Sequence, residues 1–417
     1  ALEAINAISE ARQIALEYDD VRRLSAVTAL GRMGDEDQAS CAKTLATFSV
    51  LLDTGADDNL RASMLHATAA ILARDLNAYS PEAVDLVRGL VEDASESTVH
   101  QAAHVLWAYK KALQPDIVAS LLQALASLNP SNKGTVKELD LGLHALMELG
   151  HEEAAIAYVT KLLSQPGYSL ELNEFDSFTR TLVSGAPERL SRVVVQWLLL
   201  GTPSLCNGLA SALQDRNLTG PPLDLRAEHL VISSSSQVFL CRKAIGWLFF
   251  KSTTAASILV SVLRICDTET ALQVQGLLVN ILLLNYSDVR DYLEGLAPDD
   301  AAKDRVDHAL AENETYLSAL RAIPPIKELQ PSEHHRRIER LRMSDQMRDA
   351  HKQAQNQSVF FSMIKHSVLL YGNRSLSFIK DGTNALRPVE MDLKPYGISF
   401  EMPRMEIVDT IGLDYTL

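Results

Sequence analysis

One interval constrains this chain more than any other feature. Four amphipathic stretches begin at nearly equal steps: "DVRRLSAVTALGRMG" at Asp20, "NLRASMLHATAAILAR" at Asn59, "TVHQAAHVLWAYKKA" at Thr98 and "TVKELDLGLHALMELG" at Thr135, with starts 39, 39 and 37 residues apart. The first position is a helix N-cap type each time, because Asp, Asn and Thr side chains accept bonds from free first-turn N–H groups. The second is aliphatic (Val21, Leu60, Val99, Val136) and the third basic or His (Arg22, Arg61, His100, Lys137). Apolar residues follow at helical spacing, as in Leu24, Val27 and Leu30. A cation in a first turn opposes the helix dipole. Its recurrence predicts either a ladder of bonds to the neighbouring unit or long side chains reaching for water.

Between these helices lie partners such as "DQASCAKTLATFSVLLDTG", "SPEAVDLVRGLVEDA" and "QPDIVASLLQALASLN". Helix pairs repeating at about 38 residues are the pattern of an α-solenoid. Over residues 18–165 the chain resembles HEAT and armadillo-like repeats, with "DVR" at 20–22 matching the start of the HEAT second helix; a second "DVR" stands at 288–290. The resemblance implies scaffolding or binding and carries over no catalytic residue. Some HEAT-like folds act on DNA bases, so a repair enzyme of DNA glycosylase type is one rival. A regulatory subunit of a larger complex is another.

Helices continue through 152–165 and 175–216, with Pro187 and Pro203 suited to first turns. "NLTGPPLDLRAEHLVISSSSQ" (217–237) predicts a connecting loop. It divides a first helical array, residues 1–216, from a second and more buried one, residues 238–322. The second is apolar on nearly all faces ("VFLCRKAIGWLFF", "ASILVSVLRIC", "ALQVQGLLVNILLLN"), which requires cover on both sides. Trp247, Phe249 and Phe250 are expected in its core. The three prolines of "IPPIKELQPS" mark a boundary. Residues 331–417 are expected to form a long helix over 333–367, with a seam at Met343, Met347, Ala350 and Ala354, and then a small antiparallel β appendage. Period-two alternation at Leu376/Phe378, Val389/Met391/Leu393, Ile398/Phe400 and Met405/Ile407 carries that expectation. The fold class expected is mainly α: an α-solenoid of HEAT-like hairpins with this appendage.

The net charge is −14. Residues 331–417 hold 12 Lys/Arg and 11 Asp/Glu, against 27 and 42 in residues 1–330. An acidic body repels phosphate backbones, which disfavours nucleic acid as a partner and the glycosylase alternative with it. The basic run Arg336, Arg337 and Arg340 suits phosphate, an acidic partner or, foremost, docking on the acidic body of this same chain; with the tail aromatics Phe378, Tyr396 and Phe400 it is the candidate partner-binding set, the tail offering a sheet edge. His335 and Glu339 stand four apart, but two ligands on one helix do not make a metal site. His66, His104 and His144 recur at similar offsets and are expected to be ordinary helix-face residues. There is no Gly-x-Ser-x-Gly, phosphate loop or dinucleotide fingerprint, so no catalytic residue, metal or cofactor is expected.

Cys41, Cys206, Cys241 and Cys266 lie at no CxxC spacing and suit small core positions in a reducing compartment, here the cytoplasm. The opening "ALEAINAISEARQ" has neither a secretory signal pattern nor an initiator Met, as in a trimmed chain or a piece of a longer one. The longest apolar runs are about half a bilayer span. The expected function is a non-catalytic protein-binding scaffold or adaptor.

Overall fold

The structure is a computed structural model. It describes residues 7–33, 37–74, 79–165, 170–213, 220–323, 332–357, 364–369, 374–380 and 386–392. Among these the chain is mainly helical. The first helices are α1 (Ile8–Glu17), α2 (Val21–Arg32), α3 (Gln38–Asp53), α4 (Asp58–Arg74), α5 (Pro81–Val91), α6 (Glu96–Ala108), α7 (Pro115–Ala124), α8 (Lys133–Glu148) and α9 (Glu152–Leu163). They continue as α10 (Asp176–Ser184), α11 (Pro187–Leu200), α12 (Pro203–Ala212), α13 (Ser234–Trp247), α14 (Ser252–Leu263), α15 (Thr268–Leu277), α16 (Ser287–Glu294), α17 (Lys303–Ala322) and α18 (Glu333–Gln357). The described residues fall into two compact units, one up to Asn313 and one from Glu314 onward.

In the first unit the hydrophobic core is continuous from Ile8 to Val306. From α1 to α8 each helix packs against the next but one. α2, α4, α6, α8 and α10 pack in series as one layer, and α3, α5, α7 and α9 as a second. Small residues allow the closest approaches. Gly31 on α2 faces the Ala67 backbone of α4, and Gly142 on α8 faces Leu106 on α6. α14 carries the all-round apolar pattern and has eleven of its twelve residues buried. The turn after α13 is less buried than expected: Phe250 is 67% exposed, while Trp247 and Phe249 pack partly against the core. A π-helical segment, Leu278–Leu283, links α15 towards α16.

Local side chains cap α2, α4 and α8, where Asp20, Asp57 and Asn132 accept from first-turn N–H groups. Asp20, Asp57, Ser95 and Asn132 precede α2, α4, α6 and α8, at steps of 37, 38 and 37 residues. In α4, α6 and α8 these true starts lie before the expected caps Asn59, Thr98 and Thr135. Arg61, His100 and Lys137 are therefore past the first turn, and the dipole objection applies to Arg22 alone. Pro187 and Pro203 occupy first turns.

The described part of the 217–237 loop is strapped to the core. Leu223 and Leu225 N–H donate to the Ser257 and Ser261 hydroxyls of α14, at 2.8 and 3.1 Å, and Arg226 N–H donates to Ser191 of α11 at 2.9 Å. Buried serines thus supply the partners that an irregular backbone needs when it leaves water.

In the second unit α18 ends at Gln357, and residues 364–369 are strand rather than the last turns of a longer helix. "IKHSVL" alternates Ile364, His366 and Val368, a β-compatible pattern. Strands β1 (Ile364–Leu369), β2 (Arg374–Lys380) and β3 (Leu386–Asp392) pair antiparallel in that order. The expected alternation at 398–400 and 405–407 lies outside the described residues.

Candidate interaction face of the first helices

The first layer is tied together by side chains that reach the next unit. Two helices in it lack a side-chain cap of their own. Ser95 makes no capping bond to α6, nor Phe175 to α10. The missing acceptors come from the preceding helix of the layer. Asp58 Oδ2 accepts from Ser97 N–H at 2.7 Å, and Asp58 Oδ1 from Ser95 and Thr98 N–H at 3.3 Å. Asp140 accepts from Ser177 and Phe178 N–H at 3.1 and 3.0 Å. Each carboxylate replaces a local cap and also meets the positive end of the helix dipole. Partial burial raises the Asp58 carboxyl pKa, but hydrogen bonds from Thr98, Ser97 and Ser95 outweigh it and hold the group at about 2.

The four recurring cation positions do not form one chain. Arg22 turns back to its own cap, Asp20, at 2.6 Å and lies 3.7 Å over the Tyr18 ring. Arg61 donates to the Glu92 carbonyl, which ends α5, at 2.6 Å. His100 Nδ1 bonds Thr135 Oγ1 of α8 at 3.0 Å. Lys137 lines a groove with Lys133, Asp140, Glu174 and Ser177.

The histidines do more than the sequence indicates. His66 Nε2 lies 2.9 Å from Tyr109 Oη, and its Nδ1 lies 3.2 Å from Gln101 Nε2. Its ring stacks on His104, centroids 6.1 Å apart. His104 Nδ1 meets Glu138 Oε2 of α8 at 3.0 Å, and Trp107 Nε1 donates to the same oxygen. His144 Nδ1 meets Thr181 Oγ1 of α10 at 2.7 Å. These rings are half-buried, so they line the face and also join α4, α6, α8 and α10. Burial raises the Glu138 carboxyl, and the bonds from Trp107 and His104 hold it below the usual range. Burial also lifts the Tyr109 phenol, which keeps it protonated at neutral pH.

Asp58, Gln101, Trp107, Tyr109, Glu138 and Asp140 were absent from the expected set. One signal was available for Asp140: a poor helix former inside an apolar run, "KELDLGLHAL", where it is 7% exposed. An acid buried there needs partners.

In the second unit Arg336, Arg337 and Arg340 are exposed on α18. So are Met343 and Met347 of the expected seam, at 55% and 69%. His335 Nδ1 bonds Ser332 Oγ at 3.0 Å, within its own helix start. Phe378 lies in β2 opposite Pro388 of β3. Tyr396 and Phe400 lie outside the described residues. Among the described residues no three His, Cys, Asp or Glu side chains are grouped to hold a metal ion, and no helix is long and apolar enough to cross a membrane. The four cysteines are buried and unbridged, and burial pushes the Cys206 thiol up to about 11.

No protein-family model matches the chain, and no curated protein matches it.

Proposed function

We propose that this chain is a non-catalytic scaffold or adaptor: an α-solenoid of HEAT-like hairpins whose first-layer face holds a protein partner. The C-terminal helix with its β appendage is a second contact for recruitment. The observation that supports this most is the offset of the bonds along the face. Asp58 reaches Ser97, Asp140 reaches Phe178 and His144 reaches Thr181, at separations of 39, 38 and 37 residues. Bonding that joins each unit only to the next builds an extended surface from one repeated element, and such surfaces suit long polypeptide partners. The half-buried aromatic side chains Trp107 and Tyr109 are of the kinds enriched at protein interfaces, and His100 and Lys137 are exposed.

The test is affinity capture from native lysate with the full chain, followed by mass analysis. It is repeated with Lys137→Glu/His100→Ala on the face and with Arg336→Glu/Arg337→Glu/Arg340→Glu on α18. The reading expects a stoichiometric protein partner that the face variant loses and the α18 variant weakens. Equal capture by all three chains contradicts it. So does tight, salt-sensitive binding of duplex DNA by the wild-type chain, which belongs to the repair-enzyme alternative.

A further inference from the structure

We propose that the joint between α4 and α6 is a pH-sensitive hinge: a proton on the His66 imidazole loosens it, while the α6–α8 and α8–α10 joints hold. This goes beyond the binding reading and does not depend on a partner.

The geometry around His66 suits a neutral ring. With the Gln101 carboxamide nitrogen donating to Nδ1, the proton of the ring sits on Nε2 and is donated to Tyr109 Oη. An imidazolium carries N–H on both nitrogens. Its new Nδ1–H would point at the Gln101 NH2, so the carboxamide must turn over or the two groups must part.

The charges around the ring offer it no compensation. Arg32 ends α2 on one side and acts on His66 directly. Arg74 ends α4 itself, with Nη1 donating to the Arg32 carbonyl at 3.1 Å. From α6 come the stacked His104 ring and Gln101. The turn after α6 brings the Tyr109 phenol, and Lys110, whose ammonium is paired with Glu148 at 2.8 Å. α3 and α5, which also touch α4, place no charged group among those acting on the ring. Glu138 of α8 stands beyond His104 and is bonded to His104 and Trp107. Among the described residues no carboxylate is bonded to His66, whose ring nitrogens meet Gln101 and Tyr109.

The next two joints are built the opposite way. His104 gives its Nδ1–H to the Glu138 carboxylate, a bond that needs no change of partner when the ring carries a second N–H. His144 has the Glu148 carboxylate at 3.4 Å from Nε2 and the Thr181 hydroxyl at Nδ1, so both nitrogens face groups that can accept. His100 meets a hydroxyl, which can accept as readily as donate. Acid therefore acts unevenly along the layer, opening one joint and sparing two.

Burial lowers the His66 pKa first, with His104 and Arg32 adding to it. The unfolded ring titrates near pH 6.5. Below that value the open form binds the proton and the closed form resists it. Stability of the joint is therefore full above about pH 6.5 and falls as pH drops towards the lowered folded value.

The experiment is native-state hydrogen exchange of the full chain between pH 7.5 and 5.5, corrected for intrinsic exchange. The hinge predicts that protection of α4 and α6 falls several-fold more than that of α8 and α10. His66→Gln removes the difference. Gln101→Glu sets a carboxylate against the ring and reverses it, so that acid raises α4–α6 protection; this arm stands even where His66→Gln loosens the joint at neutral pH. Equal change along the layer in the wild type, or an undiminished difference in His66→Gln alongside no reversal in Gln101→Glu, overturns the proposal.

Discussion

Asp58 and Ser97 are 39 residues apart in the chain and 2.7 Å apart in space, the Ser97 N–H donating to the Asp58 carboxylate. The bond caps α6 with a residue of α4. Asp140 does the same for α10 from α8. A cap taken from the preceding unit makes the start of one helix conditional on the placement of another.

Removing the cap carries a cost in proportion. Asp58→Ala is expected to lower unfolding free energy by about 1–2 kcal/mol, the usual loss for a helix cap. Urea denaturation at pH 7 measures it. A Ser95→Ala change, at a serine that makes no capping bond, is expected to cost clearly less.

The same carboxylate sets an acid dependence. Asp58 titrates at about 2 when folded, against 3.8 as the ordinary value. Its contribution is complete above about pH 3.8 and disappears as pH falls towards 2. The wild-type chain should therefore lose stability over that window more steeply than Asp58→Asn. Parallel denaturation curves of the two proteins between pH 4.5 and 2.5 check this, and identical slopes would show that the carboxylate is not engaged.

Close helix approach gives a test by glycine. A Cβ at Gly142 would stand 2.7 Å from Leu106 Cβ, and one at Gly31 2.8 Å from the Ala67 Cα. Each Gly→Ala change adds helix propensity worth about 1 kcal/mol, yet overpacking costs about 1–3 kcal/mol, so both variants should be destabilised. Gly134 has its nearest neighbour at 3.5 Å, and Gly134→Ala should be neutral or stabilising by up to about 1 kcal/mol. Thermal melts of the three variants separate these signs.

Trp197 supplies a buried polar test. It is fully buried and donates Nε1–H to Thr160 Oγ1 at 2.8 Å. Thr160→Val keeps the shape and removes the acceptor, leaving a buried donor unpaired. The expected loss is about 1–3 kcal/mol, read from denaturant midpoints at unchanged m-value.

Helical periodicity made the helices themselves legible, because Leu24, Val27 and Leu30 must share a face to be buried. The apolar stretch 238–285 is buried as its pattern indicates along α14, while Phe239, Phe250 and Leu272 within it are exposed. Helix starts were harder to place. Asn59, Thr98 and Thr135 have cap chemistry, yet Asp57, Ser95 and Asn132 precede the helices, since capping depends on backbone geometry that residue type alone does not state. The Asp58 and Asp140 caps were hidden for another reason: their acceptors lie in one unit and their donors in the next. The histidine joint was invisible likewise, because His66, Gln101 and Tyr109 meet only once α4 and α6 are packed. Residues 364–367 were assigned to the end of a helix because Ile364 continues the α18 seam in phase, although β1 takes them.

The central claim is that each unit of the layer is coupled to its neighbours through bonds reaching about one repeat along. Hydrogen exchange on the full chain carrying Asp140→Ala tests it most directly. The account predicts lost protection in α8 and at the start of α10, around Ser177 and Phe178, with α2 and α4 unchanged. An equal loss from α2 to α10, or none at α10, would contradict it.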